Sequence, residues 1–379
     1  MFDECVIRGR HFVPARFCAP MAGYTHSAFR RLLAELGGCG AVWTEMLAAR
    51  QILSENFSTS PWLRRYSPEQ RTVFQLMVRA GDPFDRILNR LGERGVDAVD
   101  LNLACNSMCV RACEAGSALF ENLAALRTVL SEVRSRWPGL LTAKIRLGSR
   151  CRDWQPRLAE RMRLLEEAGV DAVILHPRFF EDKFKRRARH ELIPWVASLT
   201  RLPLIANGDL TGPEPVQRQA GHFRSACAVM IGRSAIVRPW VFATWNEPVH
   251  LDIAEIWRKM CQYIVEDFPP AVAFRRVQMF TKYFAANFAF GHQFNVEVSN
   301  APSLESGALR TDFFRARPRP SLIPRSQDCK SNRLRTASFC RSFRTVMSRG
   351  DRREDIFLDW RGTGALGLER SLLGLPIQE

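Results

Sequence analysis

Short apolar runs alternate with amphipathic stretches along the first two thirds of the chain. The apolar runs occupy residues 17–21, 42–46, 72–78, 98–103, 141–147, 172–176, 203–207 and 228–231. Each is short and largely apolar, which is typical of parallel strands covered on both faces. The stretches between them predict helices at residues 27–36, 83–94, 119–137, 156–168 and 193–200, several of which open on Ser or Pro.

The order of these elements predicts the fold class. Eight strand–helix units in about 240 residues fit an α/β (β/α)8 TIM barrel. A doubly wound sheet, the alternative, more often has about five or six strands and an early glycine-rich phosphate loop. No G-x-G-x-x-G follows the first strand of this chain. The sequence therefore predicts a barrel domain at residues 1–245.

The strand pattern stops near residue 253. Segments 253–268 and 271–290 interleave aromatic and basic residues with helical periodicity, which predicts a small C-terminal helical domain at 250–300. This spacing is as compatible with aromatics packed inward beneath solvated Arg and Lys as with a nucleic-acid surface. Residues 301–379 are rich in Arg, Ser and Pro and predict a basic, poorly structured tail, either a disordered arm or the product of a frameshift.

Composition indicates the class of partner and the cellular compartment of the protein. The chain has 379 residues and a formal net charge of +16, which favours a polyanionic partner because Lys and Arg contacts to phosphate supply much of the affinity for nucleic acids. Eleven scattered cysteines, and Asp3 and Glu4 where a signal peptide would be basic, indicate reduced thiols in the cytoplasm. No apolar run approaches a membrane span, and no obligate protein partner is evident.

Polar side chains lie along or just after two of the predicted strands, at the end of the strands where barrel enzymes keep their active sites. Asn102 lies near the end of the fourth run, and Cys105 follows that run. Lys144 and Arg146 alternate along the fifth, so both point to one face and require an anion there. A salt-bridged pair of core cations is the alternative interpretation. Cys105 is followed by two further cysteines at four-residue intervals, but no second ligand pair accompanies them, so no metal site is predicted.

Four further places carry polar groups within or directly after predicted strands. Gln75 is a buried amide that needs partners, either a neighbouring strand end or a ligand. His176 ends the sixth run, where a lone histidine is usually structural. Residues 207–209 and 232–233 follow the seventh and eighth runs, where barrels bind phosphate through glycine amides and a nearby cation.

Seven segments resemble the motifs of one enzyme family in the correct order. Residues 100–106 resemble the D-x-N-x-G-C-P signature of the tRNA-dihydrouridine synthases, flavin enzymes that reduce a uridine in tRNA. Ala104 and Asn106 replace the glycine and the proline of that signature. The other segments are A-P-M-A-G at 19–23, T-E-M at 44–46, K-I-R-L-G at 144–148, H-P-R at 176–178, I-A-N-G-D at 205–209 and M-I-G-R at 230–233.

The resemblance implies a set of functional residues. Cys105 falls on the family's catalytic cysteine, and the residues expected at the cofactor FMN are Pro20, Met21, Ala22, Gln75, Lys144, His176, Asn207, Gly208, Asp209, Gly232 and Arg233. Asn102, Arg146 and Arg178 are expected at the substrate. The family mechanism implies that NADPH reduces FMN, that hydride passes from flavin N5 to C6 of a flipped uridine, and that Cys105 gives a proton to C5.

Two other functions stay open because Ala104 and Asn106 depart from the family pattern. Loss of the glycine and the proline changes a tight turn beside Cys105. The first alternative is a family member that binds flavin or tRNA without reducing it. The second is a flavin oxidoreductase for a small molecule.

Overall fold

A computed structural model describes residues 1–67, 71–182 and 186–301. The chain divides into two compact units, Met1–Glu247 and a second that begins at Pro248. The tail predicted from residue 301 lies outside the described residues, apart from residue 301 itself.

The first unit is a parallel barrel preceded by an antiparallel hairpin. The hairpin strands are β1 (Cys5–Ile7) and β2 (Arg10–Phe12), and the parallel strands are β3 (Arg16–Cys18), β4 (Ala41–Trp43), β5 (Leu47–Ala48), β6 (Thr72–Met77), β7 (Ala98–Asn102), β8 (Leu140–Arg146), β9 (Ala172–His176), β10 (Leu204–Asn207) and β11 (Ala228–Ile231). Strand β4 pairs with both β3 and β6, so eight of the described strands close into a ring. The predicted TIM barrel is confirmed.

Helices cover the outside of this ring. They are α1 (Ser27–Leu36), α2 (Phe84–Glu93), α3 (Met108–Ala112), α4 (Ser117–Glu121), α5 (Leu123–Arg136), α6 (Trp154–Glu167), α7 (Ile193–Ser198), α8 (Pro213–Arg218), α9 (Ala220–Phe223) and α10 (Arg233–Val237). All seven residues of β8 are buried, as expected for a strand with side chains inside the barrel on one face and helices on the other.

The predicted second strand, 42–46, is interrupted in the structure. Strand β4 ends at Trp43 and β5 begins at Leu47. The backbone N–H of Gln75 donates to Thr44 Oγ1 at 3.0 Å, so a side-chain hydroxyl accepts the hydrogen bond that a strand carbonyl would otherwise take. Strand β5 then resumes the pairing with β6, opposite Leu76.

The predicted helix 119–137 is two helices. Asn122 separates α4 from α5, and its side chain accepts a hydrogen bond from Ala125 N, which caps α5. The carbonyls of Phe120 and Glu121 accept hydrogen bonds from the buried Arg161 of α6 at 2.7 and 3.0 Å. Periodicity alone does not reveal this break because the apolar face continues across it.

The N-terminal hairpin was not predicted, because its two strands have three residues each. Arg8 and Arg10 of the hairpin pair with Asp171 and Asp97. These two aspartates directly precede β9 and β7. The hairpin therefore covers the amino end of the barrel, which leaves the carboxyl end for the site.

The second unit is helical. Its described helices are α11 (Ile253–Asp267), α12 (Pro270–Phe284) and α13 (Gly291–Asn300). Trp257, Phe280 and Phe284 are buried in its core, and Trp257 Nε1 donates to Thr281 Oγ1 at 2.9 Å. Most aromatic residues of the interleaved pattern thus pack inward, whereas Phe290 is exposed. Within the described ranges, no helix combines the length and apolarity needed to cross a membrane.

Candidate active site

Strand register brings the predicted polar residues to one end of the barrel. Asn102 at the end of β7 lies opposite Lys144 of β8, and Arg146 lies opposite His176 of β9. These four residues, together with Gln75 and Asn207, have side chains that are at most 8% exposed. Because all the barrel strands are parallel, their carboxyl ends form a single rim. The candidate site is therefore a desolvated cluster of amides and cations at that rim.

A chain of hydrogen bonds crosses three neighbouring strands in this cluster. Thr142 Oγ1 and Gln75 Nε2 donate to the two carboxylate oxygens of Asp100, at 2.7 and 2.6 Å. Asn102 Nδ2 donates to Gln75 Oε1 at 2.9 Å. Asp100 was not among the predicted site residues. Its position two residues before Asn102, on the same face of β7, is the signal that identifies it.

The same chain holds the loop that carries Cys105. Asn102 Oδ1 accepts hydrogen bonds from the backbone N–H groups of Ala104 and Cys105, at 3.2 and 2.9 Å. Asn102 was predicted to bind substrate, and the described contacts of its amide are with Gln75 and this loop. Asn102 therefore positions Cys105, and a direct contact with the base stays a prediction.

Replacement of the family glycine by Ala104 does not strain the loop. Ala104 does not have a positive φ angle, whereas Gly116 has φ of +57°. A Cβ on Gly116 would lie 2.6 Å from the carbonyl oxygen of Cys105. The backbone N–H of Ser117 donates to that same oxygen at 2.9 Å. The position beside Cys105 that requires glycine is 116, not 104.

Asn106, which replaces the family proline, connects the Cys105 loop to two other segments. Its Nδ2 donates to the carbonyl of Phe180, in the segment after β9, at 3.2 Å. Its Oδ1 accepts from Ser117 Oγ, at the start of α4, at 2.8 Å. These hydrogen bonds restrain the loop without a pyrrolidine ring.

Lys144 is a buried ammonium group with an unusual environment. Burial, reinforced by the neighbouring Arg146, lowers its pKa from 10.5 to about 8, although Asp100 and Cys105 act in the opposite direction. Among the described residues, no side-chain or backbone acceptor forms a hydrogen bond with its Nζ. Burial also raises the pKa of Asp100 to about 6, although hydrogen bonds from Gln75 and Thr142 and the charge of Lys144 oppose that rise.

Arg178 and Asp209, predicted at the substrate and at the cofactor respectively, bind each other. Arg178 Nη2 donates to both carboxylate oxygens of Asp209, at 2.7 and 2.6 Å. Arg233 Nη2 lies 3.4 Å from Asp209 Oδ1. Burial would raise the pKa of Asp209, but hydrogen bonds from Arg178 and Ala188 N and the charge of Arg233 hold it below its usual value. Arg178 is only 2% exposed, so its predicted contact with RNA would require this ion pair to open.

The ends of the first and last barrel strands meet at the predicted phosphate region. Ala19 N donates to the carbonyl of Ile231 at 2.8 Å, and a Cβ on Gly232 would lie 3.7 Å from Met21 Sδ. The segment Pro20–Ala22 is half-buried beside Gly232. Asn207 Nδ2 donates to the carbonyl of Met230 at 2.8 Å, which fixes the end of β10 against β11. Gly208 follows with φ of 110°.

The cysteines near Cys105 differ in exposure. Cys105 is half-buried, Cys109 is exposed on α3, and Cys113 is buried. Over the described part of the chain, no group of three or more His, Cys, Asp or Glu side chains is arranged to hold a metal ion.

The fold and site define a class of protein: a (β/α)8 barrel with a buried cluster of cations and a cysteine loop at its carboxyl rim. Residues 17–312 match the family model for dihydrouridine synthases, and the chain belongs to this family. It is 30% identical to tRNA-dihydrouridine synthase B of Escherichia coli (strain K12) over 307 residues, which cover 76% of this chain and 93% of that protein.

Two further similar proteins are a second relative by sequence and a solved structure of low sequence identity. The chain is 29% identical to tRNA-dihydrouridine synthase B of Proteus vulgaris, over 76% of this chain and 92% of the relative. Among solved structures, histamine dehydrogenase from Rhizobium sp. 4-9 superposes with a TM-score of 0.49 at 13% identity, over 69% of this chain and 50% of that chain.

The buried charge of Lys144 predicts a stability change with a defined pH dependence. In the folded protein the protonated ammonium is disfavoured, so it lowers stability below pH 8, and this cost disappears as pH rises from about 8 to about 10.5. Lys144→Met removes this cost. The substitution should therefore raise the free energy of unfolding at pH 7 by on the order of 3 kcal/mol more than it does at pH 10. Chemical denaturation at both pH values measures it.

Lys282→Met is the matched control, because Lys282 lies exposed on α12. It should show no comparable difference between the two pH values. If Lys144→Met raised the free energy of unfolding at pH 10 as much as at pH 7, or more, the result would contradict the environment assigned to Lys144.

The hydrogen bonds of Asn106 predict a coupled loss of stability. Asn106→Ala removes both bonds and should cost about 2 kcal/mol, whereas Ser117→Ala removes one and should cost about 1 kcal/mol. The double variant should resemble Asn106→Ala, because the two residues share one bond. Asn106→Ala should also change the alkylation rate of Cys105, read by mass spectrometry against the exposed Cys109. Fully additive losses would show that the two side chains do not interact.

Proposed function

We propose that this protein reduces a uridine of tRNA to 5,6-dihydrouridine in the cytoplasm, with FMN as cofactor and NADPH as reductant. Membership of the dihydrouridine synthase family supports the reaction, and the relatives named above carry tRNA in their names. The observation that carries the proposal is the strand register that sets Lys144 opposite Asn102, whose Oδ1 holds the loop of the half-buried Cys105, with Arg146 two residues further along the same strand.

The residues of the buried cluster fit a flavin mononucleotide. A buried ammonium without a hydrogen-bond acceptor among its described neighbours is costly, and a bound group rich in acceptors removes that cost. Lys144 is such an ammonium. Arg233 supplies a cation for the phosphate. Gly208 and Gly232 supply backbone without side chains, as phosphate sites require. Lys144 would face the pyrimidine end of the ring, where a cation stabilises negative charge.

When bound, FMN supplies the hydride that adds to C6 of the base. Cys105 completes the reduction by giving its thiol proton to C5, and such general acid catalysis contributes roughly 10²–10⁴ in rate. Asn102 fixes the backbone of Cys105 through its Oδ1. Arg146, whose pKa burial lowers only to about 10, stays protonated beside Cys105 and offers donors to the base or to RNA phosphate.

An arginine cluster beside the rim supports RNA as the partner. Asp182, whose side chain is 1% exposed, accepts hydrogen bonds from Arg150 and from Arg189, the latter at 2.5 Å, and Arg186 Nε lies 3.6 Å from it. The guanidinium groups of Arg150 and Arg189 lie 4.8 and 5.0 Å from the ring centre of Phe179. One buried carboxylate thus holds three arginines, which leaves excess positive charge on the surface beside the rim. The helical second unit is a further proposed tRNA surface.

Cys105→Ala should separate chemistry from cofactor binding. The variant should keep bound flavin, read by its visible absorbance, because Cys105 is not among the residues proposed to hold it. Dihydrouridine formation, measured by mass spectrometry of tRNA, should fall by at least about 100-fold. Cys109→Ala, at the exposed cysteine four residues along, should keep normal activity. A fully active Cys105→Ala protein would overturn the role of this thiol.

The arginine cluster predicts a loss of salt-dependent tRNA binding. Arg150→Gln and Arg186→Gln should each weaken binding and reduce the slope of log affinity against log salt by roughly one, because each removes a phosphate contact. Arg201→Gln is the control, since Arg201 is 95% exposed and precedes β10 at the amino end of the barrel. Equal effects at Arg201 and Arg186 would show that overall charge, and not this surface, governs binding.

A further inference from the structure

The contact between Arg178 and His176 fixes the protonation state of a buried histidine. Arg178 Nη1 lies 2.6 Å from His176 Nε2. A guanidinium group can only donate hydrogen bonds. His176 Nε2 therefore accepts through its lone pair, and the proton of the neutral ring is on Nδ1. A ring turned by 180° would place a carbon against Nη1 and lose the hydrogen bond.

Arg178 is itself immobilised. Its Nη2 donates to both oxygens of Asp209, and its Nε donates to the carbonyl of Arg186 at 2.6 Å. Asp209 also accepts from Ala188 N at 2.8 Å. With a hydrogen bond at each of its three nitrogens, the guanidinium cannot rotate away from the histidine without breaking several charge-assisted bonds.

The surroundings of His176 disfavour a second proton. Lys144 and Arg146 face it from β8, Arg178 from its own segment, and Arg233 from α10. Burial, followed by these four cations, lowers the pKa of His176 well below its usual value. Gly208 packs against the ring so closely that a Cβ there would lie 2.7 Å from His176 Cδ2. The ring is thus held in both orientation and charge.

We propose that Arg178 is a positioning residue that holds His176 as a neutral imidazole protonated on Nδ1, so that His176 donates hydrogen bonds only through Nδ1 and does not transfer protons. The tautomer follows from the geometry of this chain alone. Its consequence for catalysis, that Cys105 is the proton donor and His176 a fixed hydrogen-bond donor, rests on the proposed function.

Nitrogen NMR of the full protein labelled with 15N-histidine tests the tautomer directly. The signals of His176 are assigned by their absence in His176→Asn. They should show one protonated nitrogen, Nδ1, with no titration between about pH 5 and about pH 8. In Arg178→Met the Nδ1–H preference should be lost, whereas Arg178→Lys, which still donates, should partly preserve it. A proton on Nε2, or a titration near the usual histidine pKa in the parent protein, would overturn the proposal.

A pair of substitutions at His176 tests the consequence even if Arg178→Met does not fold. Asn places an amide N–H near the position of Nδ1, whereas Gln places one near Nε2. The rate of uridine reduction by His176→Asn should exceed that of His176→Gln by about three- to tenfold, the contribution of one hydrogen bond. Equal or reversed rates would contradict a donor role for Nδ1. A parent protein that does not reduce uridine would overturn the proposed function, while the NMR result would still decide the tautomer.

Discussion

Polar side chains at the carboxyl end of the barrel are removed from water, and this desolvation dictates how they are arranged. Asp100, Gln75 and Thr142 are at most 1% exposed, so each must find its partner within the barrel. They find it across neighbouring strands, and Asn102 extends the same network to the loop of Cys105. The thiol at the rim therefore depends on hydrogen bonds that begin deep inside the sheet.

The charges at the carboxyl rim are neutralised unevenly. Asp209 lies between Arg178 and Arg233, and Asp182 binds the arginines outside the buried cluster. Burial lowers the pKa of Lys144, and the more distant Asp100 and Cys105 offset this effect only in part. This uneven pattern is the arrangement expected where an anionic or acceptor-rich group is to bind. A cofactor that meets Lys144 contributes folding free energy as well as chemistry.

Much of the barrel could be predicted from the sequence, because buried parallel strands leave a strong apolar signal. The breaks could not, since they depend on partners far along the chain: Gln75 for Thr44, and Arg161 for the carbonyl of Phe120. The candidate site shows the same division. Strand alternation predicted that Lys144 and Arg146 lie on one face. The pairing of Arg178 with Asp209, 31 residues away, depends on the tertiary structure and leaves no local pattern.

The departures from the family signature around Cys105 are the strongest reason to doubt catalysis, and the loop geometry bears on them directly. Ala104 occupies a backbone conformation without positive φ, so its methyl group imposes no strain there. Asn106 lacks a pyrrolidine ring but forms hydrogen bonds with Phe180 and Ser117. The backbone of Cys105 is held in addition by Asn102 and by the N–H of Ser117. A loop restrained at four points keeps its thiol in place, which argues for an active enzyme over one that only binds flavin or tRNA.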